Sequence, residues 1–224
     1  DRLIEHIKKM ANTSEEFVPE APELPVGNET VDEATRRKRF ALYLEGNLGG
    51  KWDQMPIKYL MEDFTDEEKA IVRRAIDDIQ LKSCIRFEEI PDYPLDNTPY
   101  VVYIKENYAT FCGLSNVGRT GVENPIWLNF ACTDQILGTA IHETLHTLGM
   151  DHEHIRYDRD DFITLERDNL DPQALDLYEY GDFDSYTSYG VKYDYYSIMH
   201  YSAYLAVLDP AKPGLKALQG LTKF

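Results

Sequence analysis

The feature that most constrains this chain is the run His142-Glu143-Thr144-Leu145-His146-Thr147-Leu148-Gly149-Met150-Asp151-His152. Histidines four residues apart fall on one face of a helix, so the imidazoles of His142 and His146 converge on one point. Glu143 is turned too far round the helix to join the same ligand set, but it can hold a water at a bound metal. H-E-x-x-H alone is only moderately specific, because a helix with two surface histidines also satisfies it. The continuation narrows the reading. A straight helix does not carry position 152 to the point served by 142 and 146. Gly149 permits the left-handed turn that ends a helix and throws the chain back. Three neutral imidazoles with one position open are a catalytic zinc set, whereas structural zinc is closed by four protein ligands.

Composition excludes other classes. Among 224 residues, 23 Lys+Arg stand against 40 Asp+Glu, a net charge of −17. A nucleic-acid partner calls for a basic footprint, and a polybasic membrane-surface protein calls for the same, so neither is expected. Hydrophobic residues make up 43%, enough for a buried core. No stretch approaches the ~20 consecutive apolar residues of a membrane span. The chain begins at Asp1 with neither Met nor a hydrophobic leader, and the expectation is a part of something longer whose signal peptide was removed upstream. Cys84, Cys112 and Cys132 are an odd number, which leaves the redox compartment open: inert core thiols in a reducing one, a pair and an orphan in an oxidising one.

Residues 1–39 differ from the rest. Pro19, Pro22 and Pro25 punctuate an acidic stretch poor in aromatics, with sequons at Asn12 and Asn28, and such a segment buries little. It ends in Arg36-Arg37-Lys38-Arg39, which reads either as a solvated basic face or localisation patch, or as a site cut by furin-type convertases. From Phe40 the composition becomes globular. Thr65-Asp66-Glu67-Glu68 is a capping box, and Ile71, Ala75, Ile76 and Ile79 follow at helical spacing, predicting a helix over 66–82. Strands are predicted at 85–88, 100–104 and 126–130, with Gly113, Gly118 and Gly121 marking turns. A second helix is predicted over 134–148, opened by Thr133 or Asp134 and stopped by Gly149, with short helical pieces at 163–170 and 172–178.

Downstream, Ser197-Ile198-Met199-His200-Tyr201 resembles the Met-turn of metzincins. Together with HETLHTLGMDHE (142–153) and RYDRD (156–160), it resembles the astacin family of zinc metalloendopeptidases. The segments Ser83 to Phe87 and Cys112 to Arg119 are similar to that family as well, so the resemblance runs from about Trp52 to Tyr201. It implies an α+β, metzincin-like two-subdomain zinc protease: a mixed twisted sheet with a backing helix and an active-site helix, then an irregular C-terminal subdomain. It implies one Zn2+ on His142, His146 and His152, and Glu143 as general base and then general acid toward a zinc-bound water. Tyr201 would be an additional ligand at rest that swings away to donate a hydrogen bond to the oxyanion, and Met199 would be a packing floor. The substrates would be proteins or peptides, and the enzyme would be secreted.

The resemblance also gives the basic run a role. Cutting after Arg39 by a furin-like convertase would divide a prosegment, 1–39, from a catalytic domain, 40–224, and free Phe40 to pair with Glu153. It implies a Cys112–Cys132 disulfide, with Cys84 left unpaired because its family partner lies beyond Phe224. It departs from the family in carrying no F-x-G-D before Arg39; the nearest echo is Leu44-Glu45-Gly46-Asn47. The substrate is expected to lie as a strand along an exposed edge at 126–130, just before the zinc helix. Two other readings compete. A zinc-binding, non-hydrolytic protein-binding module has no need of Glu143 or Tyr201, and an exopeptidase on another H-E-x-x-H scaffold usually takes a distant Glu in place of His152.

Overall fold

A capping box opens the first helix as the sequence predicts. In the computed structural model, which describes residues 42–43, 50–107, 111–181 and 186–218, the Thr65 hydroxyl accepts from Glu68 N at 3.3 Å and Glu68 Oε2 accepts from Thr65 N at 2.8 Å. Helix α1 (Asp66–Lys82) follows and buries Val72, Ala75, Ile76 and Ile79. Val72, Ala75 and Ile76 pack against a five-stranded sheet built from β2 (Ile57–Glu62), β3 (Phe87–Glu89), β4 (Tyr100–Lys105), β5 (Gly113–Ser115) and β6 (Glu123–Leu128), in the order β3-β2-β4-β6-β5. All neighbours are parallel except β5 and β6, which are antiparallel.

Side chains alternate across the sheet, and both faces are used. Ile57, Tyr59, Val101, Tyr103, Ile126 and Leu128 meet α1 and the second helix, α2 (Ile136–Thr147). Leu60, Tyr100 and Val102 pack on the other face with Ile90 and Ile104. Two-sided burial gives the apolar runs in β2 and β4 typical of parallel strands. Each fully buried side chain of this kind contributes ~1.5–3 kcal/mol. The core also holds one polar contact under α2: the Thr144 hydroxyl donates to Ala140 O at 2.6 Å, and lies 2.8 Å from the Tyr103 hydroxyl.

Beyond α2 the chain forms a second, less regular unit. Its core gathers Ile163, Leu170, Tyr178, Tyr193, Tyr195, Ala203 and Leu215. Tyrosines fill this space because their hydroxyls find backbone partners, Tyr178 on Leu205 O at 2.7 Å and Tyr195 on Phe162 O at 2.9 Å. Two small ladders close it, β7 (Ile163–Leu165) with β9 (Leu215–Ala217), and β8 (Tyr186–Thr187) with β1 (Leu42–Tyr43). The architecture is the α+β, two-subdomain arrangement that the resemblance implies.

Three local expectations are corrected. The strand placed at 126–130 is Glu123–Leu128, and it is no edge: Ile126 pairs with Tyr103 on one side and Ser115 on the other. Its Ile126 and Leu128 are fully buried, and the edge falls instead to the short β5, whose Gly113 reads in sequence as a turn. The piece at 163–170 opens as a strand, because Ile163–Leu165 finds a ladder partner far along the chain; the helical character is confined to 3₁₀ turns at Arg167–Asn169 and Leu175–Tyr178. Helix α2 starts after Gln135, with no side-chain cap from Thr133 or Asp134. The disulfide joins Cys112 to Cys132 and Cys84 is free and exposed, as expected. Residues 1–41, 44–49 and 219–224 lie outside the described residues, and with them the basic run, both sequons and the Leu44–Asn47 echo.

Candidate active site

Helix α2 places His142 and His146 one turn apart, with ring centroids 4.6 Å from each other. Gly149 then takes φ 102°, a left-handed conformation that suits glycine, and its N–H bonds His146 O at 2.8 Å. The chain turns back and brings His152 to 4.5 Å from the His146 ring and 5.2 Å from that of His142. One donor atom from each of the three imidazoles lies within 4.8 Å of the others.

The outer nitrogens decide how the rings can bind. His142 Nδ1–H donates to Ile198 O at 2.8 Å, and His146 Nδ1–H donates to Met150 O at 2.7 Å. A ring whose Nδ1 carries the proton presents a bare Nε2 lone pair. His146 Nε2 and His152 Nε2 stand 3.2 Å apart, and Asp151 Oδ1 lies 3.5 Å from His152 Nδ1. Burial, with repulsion from His146, lowers His142 to about 4, and burial holds His146 and His152 below the ordinary range too. The set is therefore neutral at neutral pH, nitrogen-rich and convergent, and it fits a zinc ion with a position left open.

The Met-turn braces this set. Met199 is fully buried, its carbonyl accepts from Glu153 N at 2.9 Å, and the turn closes through His200 N on Ser197 O at 2.9 Å. The preceding residue, Ile198, supplies the carbonyl that orients His142. Tyr201 follows. Its ring lies 4.5 Å from His152 at 61° and stacks on His154 at 3.9 Å and 25°. Burial, with the carboxylates of Asp151 and Glu143 nearby, raises its phenol, which keeps the proton.

Glu143 is buried beside the imidazoles. Its carboxyl is pushed up to about 7 by burial, against the lowering effect of the Ser115 hydroxyl. That hydroxyl lies 2.9 Å from Glu143 Oε2 and 2.9 Å from Glu143 O. Gly113 packs on the same carboxylate: a Cβ there would stand 2.7 Å from Glu143 Cγ and 2.5 Å from Thr139 Cγ2. Glu153, expected to receive the amino terminus, is buried and already engaged; its Oε1 accepts from Arg156 Nη1 at 2.9 Å and Asp194 N at 2.9 Å. All five predicted site residues thus come together. Sequence reasoning gave no role to Ser115, Gly113, Ile198 or His154. Ser115 and Gly113 sit inside the family-like loop, but nothing local says that they touch Glu143, and Ile198 acts through its backbone.

Fold and site together set three imidazoles that fit a zinc ion on a mixed sheet, a two-histidine helix and a Met-turn. The chain belongs to the astacin family: the family model Astacin (peptidase family M12, subfamily A) matches residues 45–220, and the cofactor of that family is catalytic zinc. Among curated relatives, zinc metalloproteinase nas-11 of Caenorhabditis elegans is 48% identical over 182 residues, covering 80% of this chain and 31% of that protein. Zinc metalloproteinase nas-9 of the same organism is 43% identical over 183 residues, covering 80% of this chain and 32% of that one. The chain therefore spans about a third of the length of these relatives. The solved structure of high choriolytic enzyme 1, a hatching-enzyme zinc protease of Oryzias latipes, matches with a TM-score of 0.66 at 23% identity, over 78% of this chain and 83% of that one, a likeness of fold. Among the described residues, no helix is long and apolar enough to cross a membrane.

Gly113→Ala is expected to displace Glu143 while leaving the three imidazoles in place. Zinc content should stay at wild-type level while kcat for peptide hydrolysis falls by on the order of 10²-fold, the scale of a misplacement of about 1 Å. Wild-type kcat in the zinc-loaded variant would show that Glu143 has room to spare.

Proposed function

We propose that this chain is the catalytic part of a secreted zinc-dependent endopeptidase, with His142, His146 and His152 as the zinc ligands, Glu143 as proton carrier and Tyr201 as oxyanion donor. The observation that carries it is the convergence of the three imidazoles, with Glu143 next to His142 on the same helix and against Ser115 of β5, the edge strand of the sheet among the described residues. Zinc, when bound, supplies Lewis-acid polarisation of a water and of the scissile carbonyl. Glu143 accepts the proton of the attacking water and delivers it to the departing amine. Burial raises its carboxyl to about 7 while the Ser115 hydroxyl favours the charged form, and a group balanced between these can both take and release a proton near neutral pH. Tyr201, held protonated, donates to the oxygen that becomes negative. A non-hydrolytic zinc module has no use for either residue, and their presence at the site disfavours it.

The substrate is read as an extended protein or peptide segment added to the sheet at β5, the strand that takes the edge position expected of 126–130. The Cys112–Cys132 disulfide supports an oxidising, extracellular setting. Processing after Arg39, between the prosegment 1–39 and the catalytic domain 40–224, is supported by what lies near β1. Leu42–Tyr43 pairs with Tyr186–Thr187, and Tyr186, Thr187 and Ser188 line a cavity with Arg156 and His152. Phe40 lies two residues upstream, a reach of about 7 Å, and Arg156 in turn holds Glu153.

Glu143→Gln should retain zinc and lose several orders of magnitude in kcat, because the ligands stay while the proton carrier is gone. A variant retaining a tenth of wild-type turnover would remove Glu143 from this role. Tyr201→Phe should cost less, on the order of 10²–10³ in kcat, the scale of one oxyanion donor; an effect confined to KM would contradict its role. N-terminal sequencing after furin treatment should read Phe40-Ala41-Leu42, and Arg39→Ser should abolish that terminus; a different terminus would move the boundary.

A further inference from the structure

The hydrogen-bond register of β5 fixes which of its residues face the free edge. In an antiparallel pair, residues alternate between those bonded to the partner strand and those whose N–H and C=O point away. Asn129 N donates to Cys112 O at 2.8 Å, while Leu128 O is turned the other way and accepts from Glu106 N at 2.8 Å. With Gly113 opposite Leu128, Leu114 opposite Trp127 and Ser115 opposite Ile126, the residues bonded to β6 are Cys112 and Leu114. The backbone groups of Gly113 and Ser115 therefore face the outer edge, where no other described strand pairs with them.

The same two residues contact Glu143. Side chains two apart on a strand share a face, and that face of β5 meets α2: the Ser115 hydroxyl lies 2.9 Å from Glu143 Oε2, and Gly113 leaves no room for a Cβ against Glu143 Cγ. One three-residue strand thus carries outward backbone groups and, on its face, the hydroxyl that orients the carboxylate.

We infer that Ser115 is a positioning residue that couples substrate pairing to catalysis: a substrate strand bonding the outward groups of Gly113 and Ser115 fixes β5, and the Ser115 hydroxyl passes that order to the Glu143 carboxylate. This rests on the reading of Glu143 as proton carrier and of β5 as the substrate edge. It means that part of the binding energy of residues flanking the cut appears in kcat and not only in KM. Without the coupling, a longer substrate binds more tightly but turns over no faster.

The test uses the zinc-loaded protein, with matched thermal midpoint and zinc content as controls, and two peptides sharing one scissile bond and side chains. One is long enough to pair with β5, and the other carries N-methyl amides that prevent pairing. In the wild type the pairing peptide should show a kcat about tenfold higher as well as a lower KM. In Ser115→Ala, kcat for the pairing peptide should fall by about tenfold, to the level of the N-methyl peptide, while its KM advantage persists, and Ser115→Thr, which keeps a hydroxyl, should recover most of the loss. An equal loss on both peptides, or none, would overturn the coupling. If Ser115→Ala does not fold, the wild-type comparison still decides: identical kcat for the two peptides overturns it. Full activity in Glu143→Gln would instead sink the functional reading beneath it, so the two failures are separable.

Discussion

The site depends on two hydrogen bonds made by the outer nitrogens of the helix histidines. His142 Nδ1 donates to Ile198 O, in the Met-turn, and His146 Nδ1 donates to Met150 O, just past the glycine that ends the helix. Each bond fixes a tautomer and a ring plane, and together they aim two bare nitrogens at one point. Their acceptors lie in separate parts of the chain, so the site forms only when the sheet-and-helix unit and the tyrosine-rich unit are both folded and docked. Glu153 N on Met199 O, at 2.9 Å, joins the third histidine's segment to the same turn. The Met-turn acts as a keystone through its backbone, and its Met199 is fully buried.

How much of this is legible in the sequence follows from range. The zinc run is legible because its logic is local: helical spacing for His142 and His146, and a left-handed glycine for the return to His152. Helix α1 is legible for the same reason, since its capping box and apolar repeat lie within one segment. β5 is not legible. Three residues beginning with glycine carry no alternating apolar pattern, and the strand exists because β6, α2 and the Cys112–Cys132 disulfide hold it in place. The misplaced edge at 126–130 has the same origin, for an apolar strand next to the zinc helix looks like its flank until a partner on its far side is known. Ile163–Leu165 reads as helical until Leu215–Ala217 supplies its ladder. Ser115 illustrates the limit for function, because its hydroxyl meets Glu143 across 28 positions of sequence.

Burial sets the chemistry of the parts. Taking the imidazoles out of water favours their neutral, metal-binding form, and the same burial lifts Glu143 to about 7 and holds the Tyr201 proton in place. One environment thus leaves the imidazoles neutral, the Glu143 carboxyl titrating near neutral pH and the Tyr201 phenol protonated, the states that the proposed roles require. The membership in the astacin family and the zinc that goes with it agree with what these environments select.

The central claim is that three imidazoles, with their outer nitrogens tied to backbone carbonyls or turned toward Asp151, present Nε2 to one zinc ion. The direct measurement is a high-resolution structure of the zinc-loaded protein. The account predicts Nε2 of His142, His146 and His152 at about 2.0–2.1 Å from the metal, with the Nδ1 bonds to Ile198 O and Met150 O intact. Ligation through Nδ1 of either helix histidine, or a third ligand other than His152, would contradict it.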